Sequence, residues 1–207
     1  IVQVRPYADS FYPSEYYPWS DYVTGSHKTE GTYDPLAIMV EAAHARGLSI
    51  HAWVNPMRGM TETQITDVEK QYPIRQWYDD DAKRGKYIVK WSDGANNRWY
   101  LNPAYPEVRK LIADGIAEIV RNYDIDGIHI DDYFYPNPSA SFDESAYKQY
   151  GNGLSLTDFR YHNTNAMVRE IYQAVKAVDS RVLFGVSPAG NVNNNLTMYY
   201  ADVNEWC

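Results

Sequence analysis

The chain has 207 residues, a net charge of −8, and 44% hydrophobic and 22% charged residues. That composition suits one globular domain with a sizeable core, and its acidic balance argues against nucleic acid or an anionic membrane surface as a partner. No apolar run approaches the ~20 residues needed to cross a bilayer. The single cysteine, Cys207, provides neither a disulfide framework nor a thiolate metal site. Aromatic residues reach 15%, with 20 Tyr and 6 Trp, enough to serve a core, platforms for flat apolar ligand faces, or both.

In chain order, "IVQVRP" (1–6) is a β-branched run that reads as a strand already under way. "DPLAIMVEAAHARG" (34–47) predicts a helix, with Asp34 as N-cap, Pro35 in the first turn and Gly47 at the end. "LSIHAWVNP" (48–56) is a second strand. The segment 57–105 then breaks the alternation. In it, "YDDDAKRG" (78–85) lacks the ligand spacing of a calcium loop and reads as a solvated turn. "KYIVKWSDGANNRWYLNP" (86–103) predicts an inserted hairpin turning near Asp93-Gly94. "PEVRKLIADGIAEIVRNY" (106–123) is an amphipathic helix with Val108, Leu111, Ile112, Ile116, Ile119 and Val120 on one face. A third strand, "DGIHIDDYFYP" (126–136), precedes a long helix over 156–178, capped by Thr157. "VLFGVSPAG" (182–190) is the fourth strand, and the closing "YYADVNEWC" resembles the start of a further helix. Strands alternating with helical crossovers require parallel pairing.

Each strand sorts into two faces. Ile128 and Ile130 oppose Gly127, His129 and Asp131. Leu48, Ile50, Ala52 and Val54 oppose Ser49, His51, Trp53 and Asn55. Val2 and Val4 oppose Gln3 and Arg5, and Val182, Phe184 and Val186 oppose Gly185 and Ser187. One apolar face per strand calls for helices. The other turns polar toward the C-terminal end, as at the mouth of a (β/α)8 TIM-type barrel. An open doubly wound sheet would show continuous apolar strands, and no glycine-rich phosphate loop follows any strand. Four parallel strands are half a barrel, so the expectation is an α/β partial (β/α) barrel over 1–207, with an insertion at about 57–105. The first and last barrel units are expected outside the chain.

Asp131 closes an inward-facing row and Asp132 begins the loop. Burial and a neighbouring acid raise a carboxyl's pKa, so such a pair can divide the work of proton donor and ionised partner. "QVRPYADSFYPSEYYPWSDYVTG", "DPLAIMVEAAHARGLSIHAWVNPMR", "YLNPAYPEVRK", "YDIDGIHIDDYFYP" and "VLFGVSPAGN" together resemble the glycosyl-hydrolase-like family 10. The resemblance implies a bacterial, extracytoplasmic glycosidase of (β/α)8 fold, whose relatives cleave peptidoglycan glycan strands stripped of their peptides. There is a remoter likeness to the hydrolase domain acting on poly-N-acetylglucosamine. It carries Asp131 over as the catalytic acid, with Asp132 beside it, and places Arg5, Asp9, His51, Trp53, Asn55, Tyr133, Ser187 and Asn191 around a polysaccharide cleft. Arg58 and His129 are further candidate binding residues, and no cofactor or metal is expected.

Other readings stay open. Asp131 can simply anchor its loop through backbone N–H groups. Arg5, if it points inward, can hold Asp131 ionised, making it nucleophile or stabiliser rather than acid. His51, His129 and Asp131 all face inward, the arrangement a metal-dependent hydrolase would need, although no His-x-His or His-x-x-x-His pair supports it. A carbohydrate-binding barrel without a competent acid pair is a further alternative.

Overall fold

The computed structural model describes residues 1–92, 94 and 97–206. Its elements are β1 (Val2–Arg5), α1 (Asp21–Thr24), α2 (Pro35–His44), β2 (His51–Val54), β3 (Arg58–Thr61), α3 (Glu62–Asp67), α4 (Pro73–Asp79), β4 (Ile88–Ser92), β5 (Asn97–Leu101), α5 (Pro106–Asn122), β6 (Gly127–Ile130), α6 (Glu144–Tyr150), α7 (Leu156–Val178), β7 (Leu183–Val186) and α8 (Val192–Thr197). Two 3₁₀ turns, Ala140–Phe142 and Val203–Trp206, complete them.

The four predicted strands form one parallel sheet in the order β1-β2-β6-β7. Register aligns Ala52, Ile128 and Phe184 in one row and Val54, Ile130 and Val186 in another. Ala52, Val54, Ile128 and Ile130 are wholly buried, which is the apolar face that parity demands. On the opposite face, His51 lies over Gly127: a Cβ added there would meet its imidazole at 2.5 Å. Gly127 is therefore glycine because the histidine ring occupies its side-chain space.

The helices follow local chemistry. Asp34 Oδ1 accepts from the Ala37 N–H at 3.0 Å, and Pro35 opens α2. The cap of α7 is Ser155, not Thr157: its hydroxyl accepts the Asp158 N–H at 3.1 Å. Thr157 already lies inside the helix. α5 packs along α7, its apolar stripe wholly or nearly buried.

The insertion is richer than a hairpin. β4 and β5 pair antiparallel as expected, but β3 joins them as a third strand, in the order β3-β5-β4. Leu101 N–H bonds to Met57 C=O at 2.8 Å, tying this sheet to the end of β2. The turn expected at Asp93-Gly94 lies partly outside the described residues, as does Cys207; Gly94 itself has φ +89°.

β1 corrects the parity reading at one position. Gln3 pairs with Trp53 but Arg5 pairs with Val54, so Val4 is an extra, bulged residue. Its carbonyl accepts the Phe11 N–H at 2.9 Å. The slip turns Arg5 away from the inner face and onto the helix layer. There its guanidinium stacks 4.3 Å from the Tyr17 ring centre and reaches α5 beside Gly115, where an added Cβ would lie 2.7 Å from Arg5 Nη1. Glu118, also on α5 and buried, contributes the opposing charge. Arg5 thus has no place in the cleft.

A buried cation stacked on a ring near a buried acid is destabilising to remove, because its partners stay behind. Arg5→Ala is expected to cost about 3–5 kcal/mol in urea unfolding. A loss below about 1 kcal/mol would show that Arg5 is not an essential part of this packing.

Candidate active site

β6 ends at Ile130, and the chain turns at once. The Ser187 N–H bonds to Ile130 C=O at 2.9 Å, and the Phe134 N–H bonds to Asp132 C=O at 3.0 Å. Of the three aromatics that follow, Phe134 and Tyr135 go into the core, whereas Tyr133 is 44% exposed. Tyr135 packs edge-on against Phe142 and Tyr200. The loop is fastened to α7 by Arg160, whose Nη2 lies 2.7 Å from both Asp143 Oδ1 and Ser139 C=O; its Nη1 donates to Pro138 C=O at 3.1 Å. The tight turn after β6 therefore has a rigid base.

Asp131 is 6% exposed and is held by three N–H donors. Trp53 Nε1 donates to Oδ2 at 2.8 Å, Asn55 Nδ2 to Oδ2 at 3.3 Å, and Tyr133 N–H to Oδ1 at 3.1 Å. Loop anchoring and an inward-facing carboxylate are both present. Burial pushes the carboxyl up from its ordinary value; the Trp53 and Tyr133 donors oppose this, Asp132 adds to it, and Arg58 works against it. Asn55 is itself fixed, since its Oδ1 accepts the Arg58 N–H at 2.9 Å. Trp53 and Asn55 come from β2 and its end, so the parallel β2–β6 register delivers both donors to Asp131.

Asp132 is half-buried and lines a cleft of about 420 Å³ with Tyr133, Trp91, Tyr100 and Tyr199. Arg58 stacks 4.2 Å from the Tyr133 ring centre and 5.0 Å from that of Tyr7, and Arg98 lies 4.2 Å from the Tyr7 ring centre. Tyr7, Trp91, Arg98 and Tyr100 were not among the residues read from sequence. Arg98 and Tyr100 do share one face of β5 by alternation, but the meeting of Arg98 with Tyr7 emerges only in three dimensions.

The remaining predicted residues divide. His51 and His129 are half-buried on the inner face, in register with Gly127 and Trp53 respectively. Burial pushes the His129 imidazole down, and His51 and the N-terminal amine push it the same way. Ser187 is exposed just past β7. Asn191 caps α8, its Oδ1 accepting from the N–H groups of Asn193 at 3.0 Å and Asn194 at 3.3 Å. Asp9 is fully buried in the segment after β1, where its Oδ1 accepts the Tyr7 N–H at 3.0 Å. It lies beside Asp21 and His27 and does not line the cleft of Asp132. Arg5, behind the sheet, does not approach Asp131.

Four parallel strands covered by helices, with a buried carboxylate at a strand end beside an aromatic-walled cleft, form a partial (β/α) barrel. The comparisons narrow this to a family. The chain belongs to the glycosyl hydrolase-like 10 family, which matches residues 1–207. It is 39% identical over 227 aligned positions to the glycosyl hydrolase YngK of Bacillus subtilis, covering 100% of this chain and 42% of that protein. It is 34% identical to the glycosyl hydrolase DigH of Escherichia coli K12, covering 92% of this chain and 44% of that protein. The chain thus spans less than half the length of these relatives. In structure it is similar to α-L-fucosidase isoenzyme 2 of Paenibacillus thiaminolyticus, with a TM-score of 0.56 at 16% identity over 96% of this chain and 29% of that one. The α-galactosidase of Lactobacillus brevis gives 0.52 at 15% identity over 95% and 22%. At such identities the likeness is one of fold.

His129 provides a pH test. Its folded pKa lies below the unfolded value of ~6.5, so the unfolded state binds the proton more readily. The stability contributed by neutral His129 is present above ~6.5 and is lost as pH falls through that value toward the folded pKa. His129→Gln is expected to flatten this part of the stability–pH curve, measured by thermal melts. An unchanged slope would place the titrating group elsewhere.

Proposed function

We propose that the protein is a glycoside hydrolase acting on a bacterial N-acetylated polysaccharide, with peptidoglycan glycan strands as substrate, outside the cytoplasm. The observation that carries this reading is the Asp131 carboxylate, buried at a strand end and oriented by Trp53, Asn55 and the Tyr133 N–H beside an aromatic cleft. The family and the names of its relatives support glycan hydrolysis.

In this reading Asp131 is the positioned carboxylate of the reaction. Its raised pKa makes it a stronger base than an exposed Asp and keeps a larger fraction of it protonated at a given pH, and its donors fix which lone pairs face the sugar. Asp132, at the cleft wall, is the second acid within reach. Glycosidases need two carboxyl groups across the scissile bond, one to protonate the leaving oxygen and one to attack or to activate water. Tyr133 and Trp91 offer apolar faces to sugar rings. The Arg58 and Arg98 guanidiniums suit a glycan carrying carboxylates, as peptide-free peptidoglycan does.

Asp131→Asn in the full-length protein is expected to lower turnover on denuded peptidoglycan by at least ~100-fold, read by chromatography of released sugars. Retained turnover would move the chemistry to Asp132. Arg58→Ala is expected to raise KM on denuded peptidoglycan by roughly 10-fold, with a smaller effect on uncharged poly-N-acetylglucosamine. Equal effects on both substrates would separate Arg58 from carboxylate recognition. Failure to release products from either glycan would instead favour a carbohydrate-binding barrel.

A further inference from the structure

Residues 6–34 join β1 to α2 with only the one-turn α1 between them. A segment of that length with so little regular structure needs something to order it. At its centre a carboxylate oxygen of Asp9, one of Asp21 and a ring nitrogen of His27 lie within 4.8 Å of one another. Asp9 is 0% exposed and His27 is 4% exposed.

The hydrogen bonds of this group leave Asp9 Oδ2 and His27 Nε2 unpartnered. His27 Nδ1 lies 2.8 Å from Trp19 C=O, which can only accept, so the ring proton sits on Nδ1. In the neutral ring Nε2 then presents a lone pair. It is buried without a hydrogen-bond partner, and its nearest carboxylate oxygen is Asp21 Oδ2 at 3.7 Å. Asp9 Oδ2 is likewise buried with no hydrogen bond. Asp21 Oδ2 is steadied from outside by Gln64 Nε2 at 2.8 Å. Three acceptors facing one another are mutually repulsive unless a metal cation or a proton lies between them.

We propose that Asp9, Asp21 and His27 form a binding site for a divalent metal ion of the zinc class, which staples residues 6–34. A histidine whose second nitrogen donates to a backbone carbonyl is the arrangement that orients a metal ligand. The imidazole selects against calcium and magnesium, which prefer all-oxygen shells. Tetrahedral zinc with bonds of ~2.0–2.2 Å sets its ligand atoms about 3.4 Å apart, so the group closes by roughly 1 Å on binding. The site is distinct from the Asp131 cleft, and it does not depend on the glycosidase reading. Through the Asp9–Tyr7 hydrogen bond it would also steady the tyrosine between Arg58 and Arg98.

The test is calorimetric titration of EDTA-stripped, desalted protein with zinc chloride at pH 7.5. One equivalent is expected to bind, and the melting midpoint should rise by about 5 °C or more at hundredfold excess over Kd. His27→Gln should weaken binding at least tenfold and abolish the visible absorption of the cobalt-substituted protein. Asp9→Asn should act in the same direction. His44→Gln, which alters the exposed histidine beside Asp124 and Asp126, should leave binding unchanged and serves as the control. If Asp9→Asn does not fold, His27→Gln with its circular dichroism spectrum decides. Absence of stoichiometric binding, or binding that survives His27→Gln, overturns the proposal. So does nuclear magnetic resonance showing His27 doubly protonated in excess zinc, since a proton would then fill the metal's place.

Discussion

The β2–β6 register is the constraint on which the site depends. It pairs Ala52 with Ile128 and Val54 with Ile130, and burying those four side chains against the helices fixes both strands in rotation. A shift by one residue would turn every side chain over and expose the apolar row. With the apolar rows committed, Trp53, Asn55 and Asp131 are left on the inner face at the C-terminal end. The hydrophobic pairing thus positions a carboxylate that no core would otherwise accept. Trp53 and Asn55 then offset part of its burial cost with hydrogen bonds, as polar groups removed from water require.

Around that constraint the polar groups form two tiers. At the mouth, Asp132 and Tyr133 line the cleft, and Arg58 stacks on Tyr133 and Tyr7, which Arg98 also touches. Beneath and behind it, Arg160 with Asp143, Arg5 with Tyr17 and Glu118, and the Asp9–Asp21–His27 group hold the loops in place. Of these, Arg160 and Asp143 form a buried, matched ion pair that contributes shape to the site more than chemistry. This division explains why Asp9 and Arg5, both close in sequence to the mouth, stay out of the cleft.

The four sheet strands were legible because period-two alternation and the breaks at proline and glycine both survive in short strands. The inner placement of Asp131, Trp53 and Asn55 followed from the same alternation. Arg5 did not, because the bulge at Val4 adds one residue and reverses the face, and nothing in "IVQVRP" marks it. β3, α3 and α4 lie in a stretch whose aromatics and charges show no clean period, so their pairing with the hairpin emerges only in three dimensions. The α7 cap was misplaced by two residues, since Ser155 and Thr157 are both competent caps and only the backbone angle selects between them. Asn191 looked like a cleft residue, but its carbonyl is committed to two N–H groups of α8.

The bond from Trp53 Nε1 to Asp131 Oδ2 has an optical consequence. An indole N–H held against a carboxylate senses whether that carboxylate carries its charge, because the ring's excited state is polar. Trp53 is thus a built-in chromophore for the protonation and occupancy of Asp131. The difference in emission between the native protein and its Asp131→Asn form would isolate that signal from the other tryptophans, without label or substrate.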